Sequence, residues 1–142
     1  MMMEKPVNIL LIEDDVLDQM DVKRALARKG ILYRMKIART GEEALTWLRQ
    51  DNDEIFTGRP DIIVMDLNMP KMNGLEFLRE LRGDVALKDL RVFVLTTSDE
   101  ATDRDASLKL GVSGFITKPL KLDNPSSRDA FNLMIDLMNV QH

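Results

Sequence analysis

The order of apolar runs along this chain predicts an α/β fold, a doubly wound parallel sheet of five strands covered by helices on both faces. Three observations predict it. Five short apolar runs alternate with segments of helical spacing, giving a (βα)5 pattern. Four of the runs are almost continuously apolar, as strands buried on both faces are. Strands joined through helices make right-handed crossovers, which yield a parallel sheet with helices on either side.

The expected strands are Val7–Ile12, Tyr33–Ala38, Asp61–Met65, Val92–Thr96 and Gly114–Thr117. The second differs from the rest: Met35 and Ile37 alternate with Arg34 and Lys36, the pattern of a half-exposed edge strand. Between the strands, residues Asp15–Lys29 carry Val22, Ala25 and Leu26 on one face, and Gly30 follows as a stop. Gly41–Gln50 aligns Ala44, Leu45 and Leu48, and Leu75–Arg82 aligns Phe77, Leu78 and Leu81 before Gly83. Glu100–Leu110 sets Ala106 and Leu110 one turn apart, then Gly111. The last helix is expected from about Ser126, with Ser126 and Asp129 as a capping-box pair and Phe131, Met134 and Met138 as its stripe. The polar lead Asp51–Pro60 reads as a solvated connection.

Composition bounds the chemistry. With 142 residues the chain fits one domain, 1–142, with a core of about 7–140. A net charge of -4 argues against a nucleic-acid or anionic-membrane surface. There is no cysteine, and the one histidine is His142, so thiolate and imidazole chemistry are both excluded from the site. No apolar run approaches a membrane span and no secretory signal is visible, which gives a cytoplasmic reading.

Parallel strands collect their carboxyl ends on one edge, where ligands and reactive groups gather in open α/β sheets. That edge receives Glu13, Asp14 and Asp15 after the first strand, Asp66 after the third, Thr96, Thr97 and Ser98 at the fourth, and Lys118 at the fifth. Crowded carboxylates repel one another and are driven toward protonation. A Mg²⁺ ion and a nearby ammonium relieve that together, since Mg²⁺ takes one or two carboxylates plus waters and phosphate oxygens. Asp is a competent nucleophile toward phosphorus, and a hydroxyl and a lysine beside it suit the phosphoryl oxygens. Singly, each residue has an ordinary reading as well: Asp66 as a turn or helix cap, Thr96 as a β-branched strand residue, Lys118 as a surface charge, Phe115 as core. Asp15 reads as a helix cap rather than a metal ligand.

Four pieces in order, Glu13-Asp14, Met65-Asp66-Leu67-Asn68-Met69-Pro70 with Asn73-Gly74, Thr96, and Phe115-Ile116-Thr117-Lys118-Pro119, resemble the receiver domain of two-component response regulators (the CheY-like group), from Val7 to Val140. The resemblance implies a flavodoxin-like strand order, 2-1-3-4-5. It implies Asp66 as phosphoacceptor, and Mg²⁺ (or Mn²⁺) bound by Asp14, Glu13, Asp66 and the backbone carbonyl of Asn68. Thr96 and Lys118 would meet the phosphoryl oxygens, with Thr96 and Phe115 as the switch pair and a cis bond before Pro119. Asn68 and Ser98, two residues beyond the Asp and the Thr, would set an intermediate phosphoryl lifetime.

The implied partners are a sensor histidine kinase or phosphotransfer protein and a downstream protein target, with a homodimer left open. The implied output is a change of the face built from the fourth helix, fifth strand and fifth helix. With no output domain after the fifth helix, direct DNA binding is not expected. Trp47-Leu48, the loop before Pro60-Asp61, Leu95-Thr96-Thr97-Ser98 and Ile116-Thr117-Lys118-Pro119-Leu120 are similar to stand-alone regulators of phytochrome-type kinases. Two alternatives stand beside this reading. One is a degenerate receiver acting as an interaction module, against which Glu13, Asp14, Asp66, Thr96 and Lys118 are all present. The other is an Asp-nucleophile, Mg²⁺-dependent phosphatase, which would need an acid two residues after Asp66, where Asn68 stands. Apart from its own phosphorylation and dephosphorylation, no enzyme activity is expected.

Overall fold

The computed structural model describes residues 5–50, 59–69, 72–97 and 101–140. Five strands, β1 (Val7–Ile12), β2 (Tyr33–Ala38), β3 (Ile62–Asp66), β4 (Val92–Thr96) and β5 (Gly114–Thr117), alternate with α1 (Val16–Arg28), α2 (Gly41–Leu48), α3 (Gly74–Gly83), α4 (Ala101–Lys109) and α5 (Pro125–Val140). All pairings are parallel, in the order β2-β1-β3-β4-β5. The fold class and the edge position of β2 stand as the apolar patterning predicts. Most of the polar lead at 51–60, together with Pro70, Ser98, Glu100 and His142, lies outside the described residues.

Strand alternation divides the core into two layers. Leu10, Ile12, Ile63, Met65, Val92 and Val94 face one side, where Phe77, Leu78 and Leu81 of α3 and Ala44 and Leu45 of α2 cover them. Ile9, Leu11, Ile62, Val64, Phe93, Leu95 and Ile116 face the other, under Val22, Ala25 and Leu26 of α1 and Phe131, Met134 and Met138 of α5.

The helix starts are fixed by side chains that accept otherwise orphaned N–H groups. Asp15 caps α1, accepting from Leu17 N and Asp18 N at 2.8 and 3.1 Å. Thr40 caps α2, and Asn73 caps α3 by accepting from Glu76 N. At α5 the structure corrects the sequence reading. The helix starts at Pro125, and Asn124 Oδ1 accepts from Ser126 N and Ser127 N at 3.0 and 3.5 Å. Ser126 is thus inside the first turn and cannot cap. Proline fits the first helical position, where its missing N–H costs nothing, so the Pro outweighs the Ser-x-x-Asp signal.

β3 is also shifted by one residue from its expected bounds. Asp61 stays outside the strand and ties it to β1: Asn8 N donates to Asp61 Oδ2 at 2.8 Å, and Asp61 N donates to Asn8 O at 2.7 Å. Asp66 becomes the last strand residue, in register with Leu95.

Gly74 explains how the loop after β3 is held. Its N–H donates to Leu67 O at 2.9 Å, and a Cβ there would lie 2.7 Å from the Met65 terminal carbon and 2.8 Å from Leu67 Cα. The start of α3 therefore lies directly on the segment that carries Asp66. Gly83, by contrast, ends α3 with open space around it. Gly74→Ala is expected to destabilise the protein by about 1–3 kcal/mol through overpacking. Gly83→Ala should be neutral or stabilising by up to about 1 kcal/mol, because it only reduces unfolded-chain entropy. Urea midpoints of the two variants test the contrast.

Candidate functional site

Alternation carried to the strand ends explains why three charged groups converge. Glu13 continues in step with Ile9 and Leu11, Asp66 with Ile62 and Val64, and Lys118 with Ile116, all on the face covered by α1 and α5. Lys118 Nζ lies 2.6 Å from Glu13 Oε1, 2.9 Å from Asp18 Oδ2 and 3.0 Å from Asp66 Oδ2. Glu13 is fully buried and Asp66 nearly so. The second oxygen of Asp66 accepts from the main-chain N–H of Asn68 at 3.0 Å, which orients the carboxylate. Glu13 is oriented likewise, its Oε2 accepting from Asp15 N at 3.1 Å.

The electrostatics are lopsided, for a simple reason. Burial pushes the Glu13 carboxyl above its usual 4.5, and its contacts with Lys118 and the Asp15 N–H only partly offset that. Burial would by itself push Lys118 down, but its close contacts with the Glu13, Asp18 and Asp66 carboxylates outweigh it and hold the ammonium well above 10.5. One cation serves three anions, so the cation is overcompensated and the most buried anion is not.

Glu13, Asp14 and Asp66 each offer one carboxylate oxygen, all within 4.8 Å of one another. Asp14 is exposed and Glu13 buried. Glu13 Oε1 lies 2.6 Å from the ammonium as an ion pair but accepts no hydrogen bond. Hard oxygen donors with an under-satisfied carboxylate among them fit Mg²⁺ or Mn²⁺.

Thr96 and Phe115 belong to the other layer. Thr96 is buried at the end of β4, in step with Val92 and Val94, and Phe115 packs half-buried against the same α2–α3 layer. The Arg104 guanidinium of α4 covers the Phe115 ring at 4.7 Å from its centroid, a cation–π contact. Lys118 N donates to Thr96 O at 2.9 Å, tying the two layers at the sheet edge. The Lys118–Pro119 bond is cis.

Sequence reasoning missed two polar residues here. For Asp18 the available signal is its position in the first turn after the acidic trio. Gln19 occupies the apolar stripe one turn before Val22, and its buried Nε2 donates to Glu13 O at 2.7 Å. A polar residue on a buried stripe was the available clue.

Comparison with known proteins places the chain in a family. The response regulator receiver domain model matches residues 9–127. The chain belongs to that family. Response regulator MprA of Mycolicibacterium vanbaalenii is 37% identical over 125 residues, covering 87% of this chain and 48% of the relative. The chain thus spans about half the length of the MprA relatives that it matches. Response regulator Rcp1 of Synechocystis is 38% identical over 117 residues, covering 82% of this chain and 80% of Rcp1. The solved Mn²⁺-bound form of Rcp1 superposes with a TM-score of 0.73 at 34% identity, covering 96% and 92% of the two chains. The phosphorylated cyanobacterial phytochrome response regulator RcpA gives 0.73 at 32% identity, with the same coverage. Receiver domains bind Mg²⁺ or Mn²⁺ at an acidic pocket and partner with histidine kinases or phosphotransfer proteins. Among the described residues, no helix is long and apolar enough to cross a membrane.

The two pKa directions set the pH dependence. Lys118 is raised, so the stability it contributes is complete below 10.5 and is lost as pH rises through its higher folded value. Glu13 is raised as well; its protonated form is favoured by folding, so its contribution is present below 4.5 and fades as pH rises through its folded value. The stability gap between wild type and Lys118→Met, followed by urea unfolding, should stay constant from about pH 7 to about pH 10 and narrow only above that. A gap that closes near neutrality would refute the charged cluster.

Proposed function

We propose that this receiver accepts a phosphoryl group from a histidine kinase phosphohistidine, or from a phosphotransfer protein, onto Asp66, with Mg²⁺ or Mn²⁺ held by Glu13, Asp14, Asp66 and the Asn68 carbonyl. The observation that carries the reading is the Asp66 carboxylate, oriented on one oxygen by Asn68 N–H and facing the Lys118 ammonium at 3.0 Å on the other. An Asp66 oxygen attacks phosphorus while the P–N bond of the donor breaks, its electron pair remaining on the imidazole nitrogen. The product is an acyl phosphate on Asp66. Lys118 supplies a fixed positive charge to the phosphoryl oxygens, and Thr96 a hydroxyl. A divalent cation bound at the three carboxylates supplies charge neutralisation for the transferred group.

Phosphorylation adds about -1.5 to -2 charge and three acceptor oxygens. The response runs through Thr96 and Phe115 to the face made by α4, β5 and α5. Among the described side chains of α4 only Ser107 is fully buried, while Leu108 is exposed. An element held by so few buried contacts moves at low cost. The output passes to a downstream protein target, and the likeness to Rcp1 and to RcpA supports a phytochrome-type kinase as donor.

Labelling with phosphoramidate, with and without Mg²⁺, tests the assignment on wild type and Asp66→Asn. The expected result is Mg²⁺-dependent incorporation of one phosphoryl group in wild type and loss of it in the variant. Equal labelling of Asp66→Asn would defeat Asp66 as acceptor, and absence of labelling in both would favour a degenerate receiver.

A further inference from the structure

We propose that Asp18 is a positioning residue for phosphoryl transfer, holding the Lys118 ammonium in the direction that serves Asp66. This rests on the phosphoacceptor reading above and deepens it. An ammonium has three N–H donors, and Lys118 Nζ has three carboxylate neighbours, Glu13 at 2.6 Å, Asp18 at 2.9 Å and Asp66 at 3.0 Å. Glu13 comes from the buried end of β1, Asp66 from the end of β3, and Asp18 from the first turn of α1, where its side chain remains 22% exposed. The group of oxygens suited to a divalent cation is Glu13, Asp14 and Asp66 and does not include Asp18. Its role therefore runs through Lys118. The α1 cap holds it there, because Asp18 N donates to Asp15 Oδ1 at 3.1 Å.

Without the Asp18 charge, Glu13 and Asp66 are the ammonium's remaining ion-pair partners among the described residues. It relaxes onto them, covers the attacking oxygen of Asp66 more tightly and leaves no fixed third contact. Both effects slow transfer. A plain like-charge effect has the opposite sign, since removing a carboxylate beside an incoming anionic donor would speed it. The sign of the change thus separates positioning from general electrostatics.

The test is a double-mutant cycle on the full chain: wild type, Asp18→Asn, Lys118→Met and the double variant, phosphorylated with phosphoramidate at saturating Mg²⁺. Asp18→Asn should lower the maximal rate about fivefold, with Mg²⁺ affinity within about twofold of wild type, the scale of one charge-assisted contact at a partly exposed site. In the Lys118→Met background the same change should alter the rate by less than about twofold. A faster Asp18→Asn protein, or an equal loss in both backgrounds, would overturn the proposal. Melting temperatures of the four proteins read the contact without phosphate: non-additive shifts are expected, and additive shifts overturn it. A wild type that takes no phosphoryl group while the melting shifts remain non-additive would sink the functional reading alone and leave the Asp18–Lys118 contact intact.

Discussion

Everything at the carboxyl edge of this sheet depends on one constraint: buried carboxylates must be neutralised where the strands end. Glu13 has no exposure and Asp66 very little, and Lys118 is the cation that reaches both. Removing one partner from a buried ion pair costs about 3–5 kcal/mol, because the remaining charge is left without compensation. The loops around the cluster are built to keep that geometry. Gly74 lets α3 lie on the segment after Asp66, Asn68 N–H fixes one Asp66 oxygen, and Gln19 fastens the carbonyl of Glu13.

The sheet sorts the strand-end residues onto its two faces. Alternation sends Glu13, Asp66 and Lys118 to the α1–α5 face and Thr96 and Phe115 to the layer of α2 and α3. The two meet at the strand ends, where Lys118 N donates to Thr96 O. Phe115 is covered in turn by Arg104 of α4. Parallel register makes this arrangement economical, since four strand ends deliver their residues to one small volume.

The sequence made the sheet legible because both its signals are local. Continuous apolar runs mark the strands covered on two sides, and Arg34 and Lys36 alternating with Met35 and Ile37 mark the edge. The site was legible in kind for a similar reason: Asp66 and Lys118 stand immediately beside apolar runs, so their location follows from the strands. What remained hidden depends on packing across elements. Asp18 meets Lys118 across 100 positions of sequence, and its place in the first turn of α1 does not say which cation it meets. Asn124 and Pro125 outweighed a capping box because Pro suits the first helical turn whichever residue follows.

The most direct measurement is the equilibrium stability of Lys118→Met against wild type, without metal and with saturating Mg²⁺. With the cation gone, Glu13, Asp66 and Asp14 are left facing one another. A loss of about 3–5 kcal/mol is expected in the absence of metal, of which Mg²⁺ restores a large part by mass action on the acidic cluster. A variant as stable as wild type without metal, or one whose stability does not respond to Mg²⁺, would contradict the claim that neutralisation of these carboxylates organises the site.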